Sequence, residues 1–309
     1  MSSTVVLLGP QRLEPTLGLA VDALGVRGRI AAVTAGWEER ESEDQELGEH
    51  LGGRTTNLEL FRRSEEVYER DAELFAAMRE RRNTRHRLRE LYRLRLKHAL
   101  KAARVLLKRE GDDPLLERER EEAIRAVRAL DDHHLRCVAE IEAKFAARTN
   151  LAERPEVARQ RSEIERVLAG VDALCIAGGH VGVLIERMRL FDLLPLLGDK
   201  PIFAWSAGAM VISERIVLFH DHPPQGAGDA EVFGLGLGVC KGVVPLPHAK
   251  HRLRLKDKAR VALLARRFRP ALCAAMDEAA RLDWDGASWT LSGKARRLSL
   301  DGTVDGKTA

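Results

Sequence analysis

The chain has 309 residues, of which 45% are hydrophobic and 32% charged, and its formal net charge is +4. This length and apolar content suit one large folded domain or two ordinary ones, and they argue against a disordered chain. The charge is only mildly basic, so nucleic acid is not an expected partner. No apolar stretch approaches the roughly 18 residues that a membrane-spanning helix needs, so no membrane partner is expected.

The cysteines and the first residues of the chain predict the cellular compartment of the protein. Four cysteines stand far apart, with no CxxC pair and no histidine at metal-ligand spacing: Cys137, Cys175, Cys240 and Cys273. They are typical of buried thiols in reducing surroundings. The short apolar run at residues 4–8 has no positive segment before it. We therefore expect a cytoplasmic protein, and nothing in the sequence implies a metal or a cofactor.

The two ends of the chain have the pattern of an α/β fold. Short β-rich runs alternate with helical stretches, with strands predicted at 4–8, 30–34 and 57–61 and helices at 17–24 and 38–51. The pattern resumes with a strand at 171–179, a helix at 184–197 and a strand that ends at Ser206. Such alternation is typical of a mainly parallel sheet. We predict one α/β domain built from residues 1–61 and 166–309.

Residues 62–165 form a predicted helical insertion. Apolar residues recur there every three to four positions, and the segment Gly111-Asp-Asp-Pro114 separates two such stripes. The second stripe ends before 148–150, and Pro155 can open a third helix that returns the chain to the sheet. The pattern predicts a coiled-coil-like antiparallel hairpin.

The stretch 81–110 is strongly basic, with twelve basic residues against two acidic ones, Glu90 and Glu110. Such a helix could bind an acidic partner or nucleic acid. It could equally be a solvated face that pairs with acidic residues of the second helix. The acidic candidates there are Glu117, Glu119, Glu121, Glu122, Asp131 and Asp132.

Ser206 lies where the apolar run Pro201-Ile-Phe-Ala-Trp205 ends, between small residues. This is the pattern of a nucleophile elbow, in which a strand turns sharply into a helix and presents a serine hydroxyl in a strained conformation. The alternative is a buried serine that caps an ordinary helix.

A serine nucleophile needs a base and an orienting carboxylate. Asp221 and His248 follow Ser206 in the order nucleophile, acid, base. Spacing alone leaves other bases and one other acid open, namely His220, His222, His251 and Glu214. The glycine pair Gly178-Gly179 and the N–H of Ala207 could form an oxyanion hole, although glycines here could also serve the turn geometry alone.

Four blocks of the sequence together resemble the cyanophycinases and alpha-aspartyl dipeptidases, serine peptidases with a class I glutamine amidotransferase-like fold. The blocks are Ala177-Gly-Gly-His-Val-Gly-Val-Leu184, Trp205-Ser-Ala-Gly-Ala209, Pro247-His-Ala-Lys-His-Arg-Leu-Arg254, and Ala275-Met-Asp-Glu-Ala-Ala280 with Trp289-Thr-Leu-Ser-Gly293. The likeness is loose over 1–61 and good over 170–302. It implies a three-layer, flavodoxin-like sandwich.

The resemblance also implies roles for single residues. Ser206 would be the nucleophile, His248 the base and Asp221 the acid, although cyanophycinases generally use a glutamate as the acid. His180 stands where the family has an amide residue, and Arg252 and Arg254 follow the base as the family's arginines do. The implied substrate is a small aspartyl peptide or an aspartyl-arginine polymer. Glutaminase activity is not expected, because the related amidotransferases carry cysteine at the elbow.

Two further possibilities concern the insertion, which members of this family generally lack. The chain could be a catalytically idle scaffold whose basic helix, residues 81–110, binds an acidic partner or nucleic acid. The insertion could also serve as a homodimer contact or as a lid over the site.

Overall fold

The computed structural model describes residues 4–111, 113–219 and 228–306. Thirteen strands occur in these ranges: β1 (Val5–Leu8), β2 (Ile30–Val33), β3 (Thr55–Asn57), β4 (Ala173–Ile176), β5 (Ile202–Trp205), β6 (Arg215–Leu218), β7 (Glu231–Leu235), β8 (Val243–Pro247), β9 (Leu272–Met276), β10 (Ala280–Trp284), β11 (Trp289–Gly293), β12 (Arg296–Leu298) and β13 (Val304–Gly306).

Eleven α-helices lie in the same ranges: α1 (Leu17–Ala23), α2 (Gln45–His50), α3 (Leu60–Arg70), α4 (Ala72–Lys108), α5 (Pro114–Thr149), α6 (Pro155–Ala169), α7 (Val181–Leu190), α8 (Leu193–Leu197), α9 (Ala207–Ile212), α10 (Ala249–Arg252) and α11 (Lys258–Phe268). The same ranges also contain two 3-10 turns, at Ala35–Arg40 and Leu151–Glu153.

The main sheet has seven strands in the order β11-β10-β1-β5-β4-β2-β3. The five strands from β1 to β3 along this order are parallel, and β10 and β11 add an antiparallel edge. Successive strand residues point to opposite faces, so Val5 and Leu7 enter one core while Val6 and Leu8 enter another. Helices α1 and α2 cover the second core, and α3, α6, α7 and α9 cover the first. The predicted three-layer, flavodoxin-like sandwich is therefore confirmed.

The register of the parallel strands brings three loops together. Leu8 lies opposite Trp205, and Ile176 lies opposite Ala204, so β1, β5 and β4 end at the same edge. Ligand sites of open α/β sheets form outside the carboxyl ends of the strands. Ser206 follows β5 at the centre of this edge, with Gly178 after β4 and Gly9 after β1 on either side.

A second, four-stranded sheet has the order β13-β12-β9-β8, with β8 and β9 parallel. His248 follows the last residue of β8, and its N–H donates to the carbonyl of Met276 at the end of β9 (2.9 Å). Nucleophile and candidate base thus come from two different sheets. A short antiparallel pair, β6 and β7, follows the helix that Ser206 begins.

The insertion is helical, as predicted, and its two long helices α4 and α5 pack along each other. The connecting helices α3 and α6 are joined by Arg63, which donates to Gln160 and to Glu163. The apolar residues of α4 and α5 belong to the same core as the sheet, including Tyr92, Leu96 and Val127. The boundaries at 61/62 and 165/166 stay a prediction.

The predicted acidic partners of the basic helix were wrong. Glu142 of α5 pairs with Arg81 and Arg85, but other basic residues of α4 pair with the α/β part of the chain. Arg81 and Arg82 contact Glu186, and Arg89 and Arg93 contact Glu231. Arg104 contacts Asp229, and Lys108 contacts Asp257. The six proposed carboxylates have other partners or none among the residues that the structure describes. Asp131, for example, binds Arg267 and Tyr92.

The strands predicted at 4–8 and 30–34 and the helix predicted at 17–24 occur within a residue of their positions, whereas four other predicted elements differ more. The strand predicted at 171–179 is limited to Ala173–Ile176, and the helix predicted at 184–197 is two helices, Val181–Leu190 and Leu193–Leu197. The helix predicted at 38–51 is a 3-10 turn followed by the short α2. The strand predicted at 57–61 ends at Asn57, and Leu60 begins α3. Within the three described ranges, no helix is long and apolar enough to cross a membrane.

Candidate active site

Ser206 has the backbone expected of a nucleophile elbow, with φ 51° and ψ −119°. This region is unfavourable for any residue with a Cβ, so the neighbours must hold it in place. The neighbouring residues hold this conformation by packing closely around Ser206. A Cβ at Gly208 would lie 2.2 Å from the carbonyl oxygen of Ile176, and one at Gly178 would lie 2.8 Å from the Ser206 Cβ. Only glycine fits at both positions.

His248 lies beside this serine. Its Nε2 is 3.3 Å from Ser206 Oγ, although the two residues are 42 positions apart in the chain. His248 also has a left-handed backbone (φ 58°, ψ 34°) and precedes the one-turn helix α10. The separation of the two atoms is at the long end of a hydrogen bond, as is common for catalytic pairs without substrate.

Two carboxylates, Asp277 and Glu278, follow β9 and contact Lys250, which is two residues after His248. Asp277 is 6% exposed, accepts from the Lys250 N–H (2.8 Å) and pairs with Arg296 (2.6 Å). Glu278 pairs with the Lys250 ammonium at 2.5 Å, which lowers the pKa of this carboxyl. Both lie in the block Ala275-Met-Asp-Glu-Ala-Ala280, which the sequence analysis singled out without giving either residue a role.

The surroundings of His248 favour its neutral form. Burial lowers the pKa of His248 most, and the charge of Arg252 lowers it further. Glu278 and then Asp277 oppose this by raising the pKa. A neutral imidazole can accept the serine proton, so these surroundings suit a general base.

Asp221, the predicted acid, lies outside the described residues, as do His220 and His222. Among the described residues no carboxylate hydrogen bonds to the His248 ring. Of the remaining alternatives, Glu214 accepts from the Gly242 N–H, and His251 is exposed on α10. The acid therefore stays a proposal.

The predicted oxyanion donors lie next to Ser206. The ideal Cβ position of Gly178 is 3.7 Å from the Ala207 nitrogen, so the two loops touch. Gly179 has φ 113°, which favours glycine, and the carbonyl of Gly36 accepts from the N–H of His180 (2.6 Å). Within the described part of the chain, the N–H groups of Gly178, Gly179 and Ala207 make no hydrogen bond. Three donors are thus open at one place.

His180 is exposed and caps α7. Its Nδ1 accepts a hydrogen bond from the Val183 N–H (3.1 Å), so in the neutral ring the proton resides on Nε2. The ring therefore offers an N–H donor beside the glycine pair. Histidine at this position is a departure from the amide residue that the family has there.

The two arginines of the histidine block differ. Arg252 is half-buried, burial lowers its pKa, and no described residue forms an ion pair with it. Arg254 is exposed and has an interaction partner. Arg252 is thus the arginine that remains available to a ligand.

Comparison with known proteins gave matches only among solved structures. A peptidase from an acI-B1 Actinobacterium aligns over 99% of this chain and 98% of its own, with a TM-score of 0.48 and 13% identity. A putative peptidase E protein from Listeria monocytogenes EGD-e aligns over 95% of this chain and 99% of its own, with a TM-score of 0.46 and 10% identity. No family model matches, and no curated protein matches. The residues of the chain itself must therefore indicate the activity.

Proposed function

We propose that the chain is a serine hydrolase that cleaves amide bonds next to aspartyl residues. The observation that carries this proposal is the 3.3 Å approach of Ser206 Oγ and His248 Nε2 beside open backbone N–H groups. A hydroxyl, a neutral imidazole and preorganised donors are the three parts that acyl transfer requires.

The mechanism follows from these positions. His248 takes the proton of Ser206 as Oγ attacks the amide carbonyl, and the N–H groups of Gly179 and Ala207 stabilise the resulting oxyanion. The protonated His248 then gives its proton to the leaving amine. Water, activated by the same imidazole, releases the acyl group from Ser206.

The substrate proposal rests on the resemblance and on the donors around the site. Arg252, which has no ion-pair partner in the described ranges, is suited to bind a substrate carboxylate as a bidentate fork. His180 Nε2–H offers a second donor on the other side of Ser206. Small aspartyl peptides or an aspartyl-arginine polymer carry the carboxylate that these groups would bind.

Asp221 is one proposed acid of the triad, and Glu278 is a second. Glu278 is supported by its effect on His248, since it is the described carboxylate that raises the pKa of this histidine most. It is also the second residue after β9, which ends at the same sheet edge as β8, the strand before His248. Asp221→Asn and Glu278→Gln, made separately, identify the acid by the larger loss of kcat.

The test of the proposal is Ser206→Ala, with the exposed Ser42→Ala as a matched control. Wild type and Ser42→Ala should hydrolyse aspartyl dipeptides and be labelled by a serine-directed fluorophosphonate. Ser206→Ala should lose both properties. Labelling or turnover that survives in Ser206→Ala would contradict the assignment of the nucleophile.

A second function has one supporting observation. Five exposed arginines and lysines of α4 form no ion pair within the described ranges: Arg79, Arg87, Arg95, Lys97 and Lys101. This face could bind an acidic partner or nucleic acid, or join two copies of the chain. Binding that weakens steeply with salt and is unchanged in Ser206→Ala would favour this function. A mass measurement in solution tests the homodimer.

A further inference from the structure

The turn that carries His248 depends on contacts from outside its own helix. Helix α10 has only four residues, and His248, its N-cap, makes no side-chain hydrogen bond to the N–H groups of the first turn. Such N–H groups have no acceptor within the helix. Asp277 supplies one, since its Oδ1 accepts from the N–H of Lys250 at 2.8 Å, 27 positions away in the chain. The N–H of His248 itself donates to the carbonyl of Met276, the residue before Asp277 (2.9 Å).

Asp277 is in turn held from a third element. The residue is 6% exposed, and its Oδ2 accepts from Arg296 of β12 at 2.6 Å. Arg296 lies opposite Ala275 in the antiparallel pair of β12 and β9, so the guanidinium comes from the strand beside the one that Asp277 follows. A buried carboxylate that lost either bond would be left with an unsatisfied oxygen. Both partners therefore set the orientation of this side chain.

The backbone after Asp277 contacts the sheet that carries Ser206. The N–H of Gly9 donates to the carbonyl of Ala280, the first residue of β10 (2.9 Å). A Cβ at Gly9 would lie 1.9 Å from the Asp277 carbonyl oxygen, so only glycine allows this approach. Gly9 follows β1, whose last residue lies opposite Trp205, the residue before Ser206. Asp277 thus lies where the seven-stranded and the four-stranded sheets meet.

We propose that Asp277 is a positioning residue, which fixes the turn after β8 so that His248 Nε2 stays within reach of Ser206 Oγ. This inference rests on the proposed function, and it adds a residue that acts through His248 and not on the reacting atoms. Proton transfer requires the two atoms at hydrogen-bond distance. A displacement of about 1 Å can lower the rate by about a hundredfold.

The charge of Asp277 has a separate effect, because it raises the pKa of His248, although less than the charge of Glu278 does. Asp277→Asn removes the charge and keeps an oxygen for the Lys250 N–H. It should therefore move the acidic limb of the pH profile to lower pH and lower the plateau only slightly. Asp277→Ala removes the oxygen as well, so it should also lower the plateau by about ten- to a hundredfold.

The measurement is the rate constant for labelling of Ser206 by a fluorophosphonate as a function of pH. This reagent reports the reactivity of the Ser206–His248 pair without a peptide substrate. A purely structural role of Asp277 would lower the fraction of protein that is labelled and leave the rate constant of the folded fraction unchanged. Asp283→Ala is the matched control, because Asp283 also pairs with an arginine beside a sheet, Arg281 at 2.7 Å. It should leave the rate constant unchanged.

Two further measurements cover an Asp277→Ala variant that does not fold and a wild type that is not labelled. Arg296→Gln leaves the carboxylate of Asp277 in place but removes its anchor in β12, so it should lower the plateau by a smaller factor. The ring signals of His248 in nuclear magnetic resonance spectra, assigned with His248→Gln, report the position of the ring without any reaction. They should match the wild type in Asp283→Ala and should shift and broaden in Asp277→Ala and Arg296→Gln.

Unchanged ring signals in the folded Asp277 and Arg296 variants would overturn the inference. A plateau that stays at the wild-type value in Asp277→Ala would overturn it too, and so would an equal loss in Asp277→Asn and Asp277→Ala, which would assign the effect to charge. If the wild type is neither labelled nor active on peptides while the ring signals change as expected, the proposed hydrolase function fails and the positioning of His248 by Asp277 stands.

Discussion

Both members of the candidate pair have positive φ, 51° at Ser206 and 58° at His248. Each residue immediately follows a strand and precedes a helix, so the chain turns sharply at each side chain of the proposed catalytic pair. A sharp turn leaves the side chain uncovered on one side. Serine and histidine are thus both half-exposed at the same edge, although the strands before them are buried.

The strain at Ser206 predicts that the protein is more stable without this residue. Ser206→Gly should raise the free energy of unfolding by about 1 kcal/mol or more, because glycine adopts this backbone without a Cβ penalty. Chemical denaturation measures the change. Ser213→Gly should instead destabilise, since Ser213 is buried and has an ordinary φ of −73°. Equal destabilisation in both variants would show that the elbow stores no strain.

The pKa of His248 predicts how activity depends on pH. The neutral imidazole is the active base, and its pKa is lowered, so activity should persist below the ordinary pKa of histidine, about 6.5. Removing the nearby positive charge with Arg252→Gln should raise the pKa and move the acidic limb of kcat/KM to higher pH. Removing the negative charge with Glu278→Gln should move the limb to lower pH.

Lys241→Gln is the control for these shifts, because Lys241 is exposed and is not one of the charges that shift the pKa of His248 most. The pH profile of kcat/KM in each variant is the measurement. Shifts of the same sign in Arg252→Gln and Glu278→Gln would contradict the electrostatic account.

At the scale of elements, local sequence predicts what local contacts decide. The apolar runs at 4–8 and 30–34 were correctly predicted as strands, because their residues are buried on both faces of the sheet. The strand predicted at 57–61 was wrong because α3 begins there. Its first N–H groups are capped by the carboxylate of Glu41, about twenty residues earlier. A prediction from residues that are neighbours in the sequence cannot include that contact.

The same limit applies to the site. Chain order and the small residues around Ser206 indicated the serine, but they left several histidines open as its base, and only the family resemblance singled out His248. The close approach of Gly36 to Gly178 and Gly179 was not predictable, since it joins the turn after β2 to the loop after β4. The contacts of Asp277 with Lys250 and Arg296 likewise join three separate segments.

A buried polar network attaches the long helices to the rest of the chain. Asp131 of α5 accepts from Tyr92 of α4 (2.7 Å) and from Arg267 of α11 (2.6 and 2.7 Å). Tyr92 also accepts from the N–H of Val232 in β7 (3.1 Å). Asp131 and Arg267 are each 2% exposed, so neither charge has water as a substitute partner.

Asp131→Ala should therefore destabilise the protein by about 3–5 kcal/mol, because it leaves a buried guanidinium without its partner. Asp132→Ala, at an exposed position of the same helix, should change stability by less than about 0.5 kcal/mol. Urea unfolding of both variants is the measurement. Similar small effects would show that the network is not what holds α5 in place.

At the scale of the molecule, the helical insertion and the sheet share one core. We therefore predict that they unfold together. All four tryptophans, Trp37, Trp205, Trp284 and Trp289, lie outside the insertion, whereas α4 and α5 supply 37 and 36 helical residues. Tryptophan fluorescence and far-UV circular dichroism should give the same midpoint in urea. An earlier loss of helix would indicate an insertion that unfolds independently.

Ser206 ends a strand of the seven-stranded sheet, and His248 ends a strand of the four-stranded one. Their contact therefore depends on how the two sheets pack against each other in the shared core, and not on residues that are close in the chain. Ser206 Oγ and His248 Nε2 are 3.3 Å apart. If the two atoms were about half an ångström closer they would form a short, strong hydrogen bond, and if they were about half an ångström farther apart the bond would be broken. A bound molecule that changed how the two sheets pack would therefore change the rate of proton transfer from Ser206 to His248.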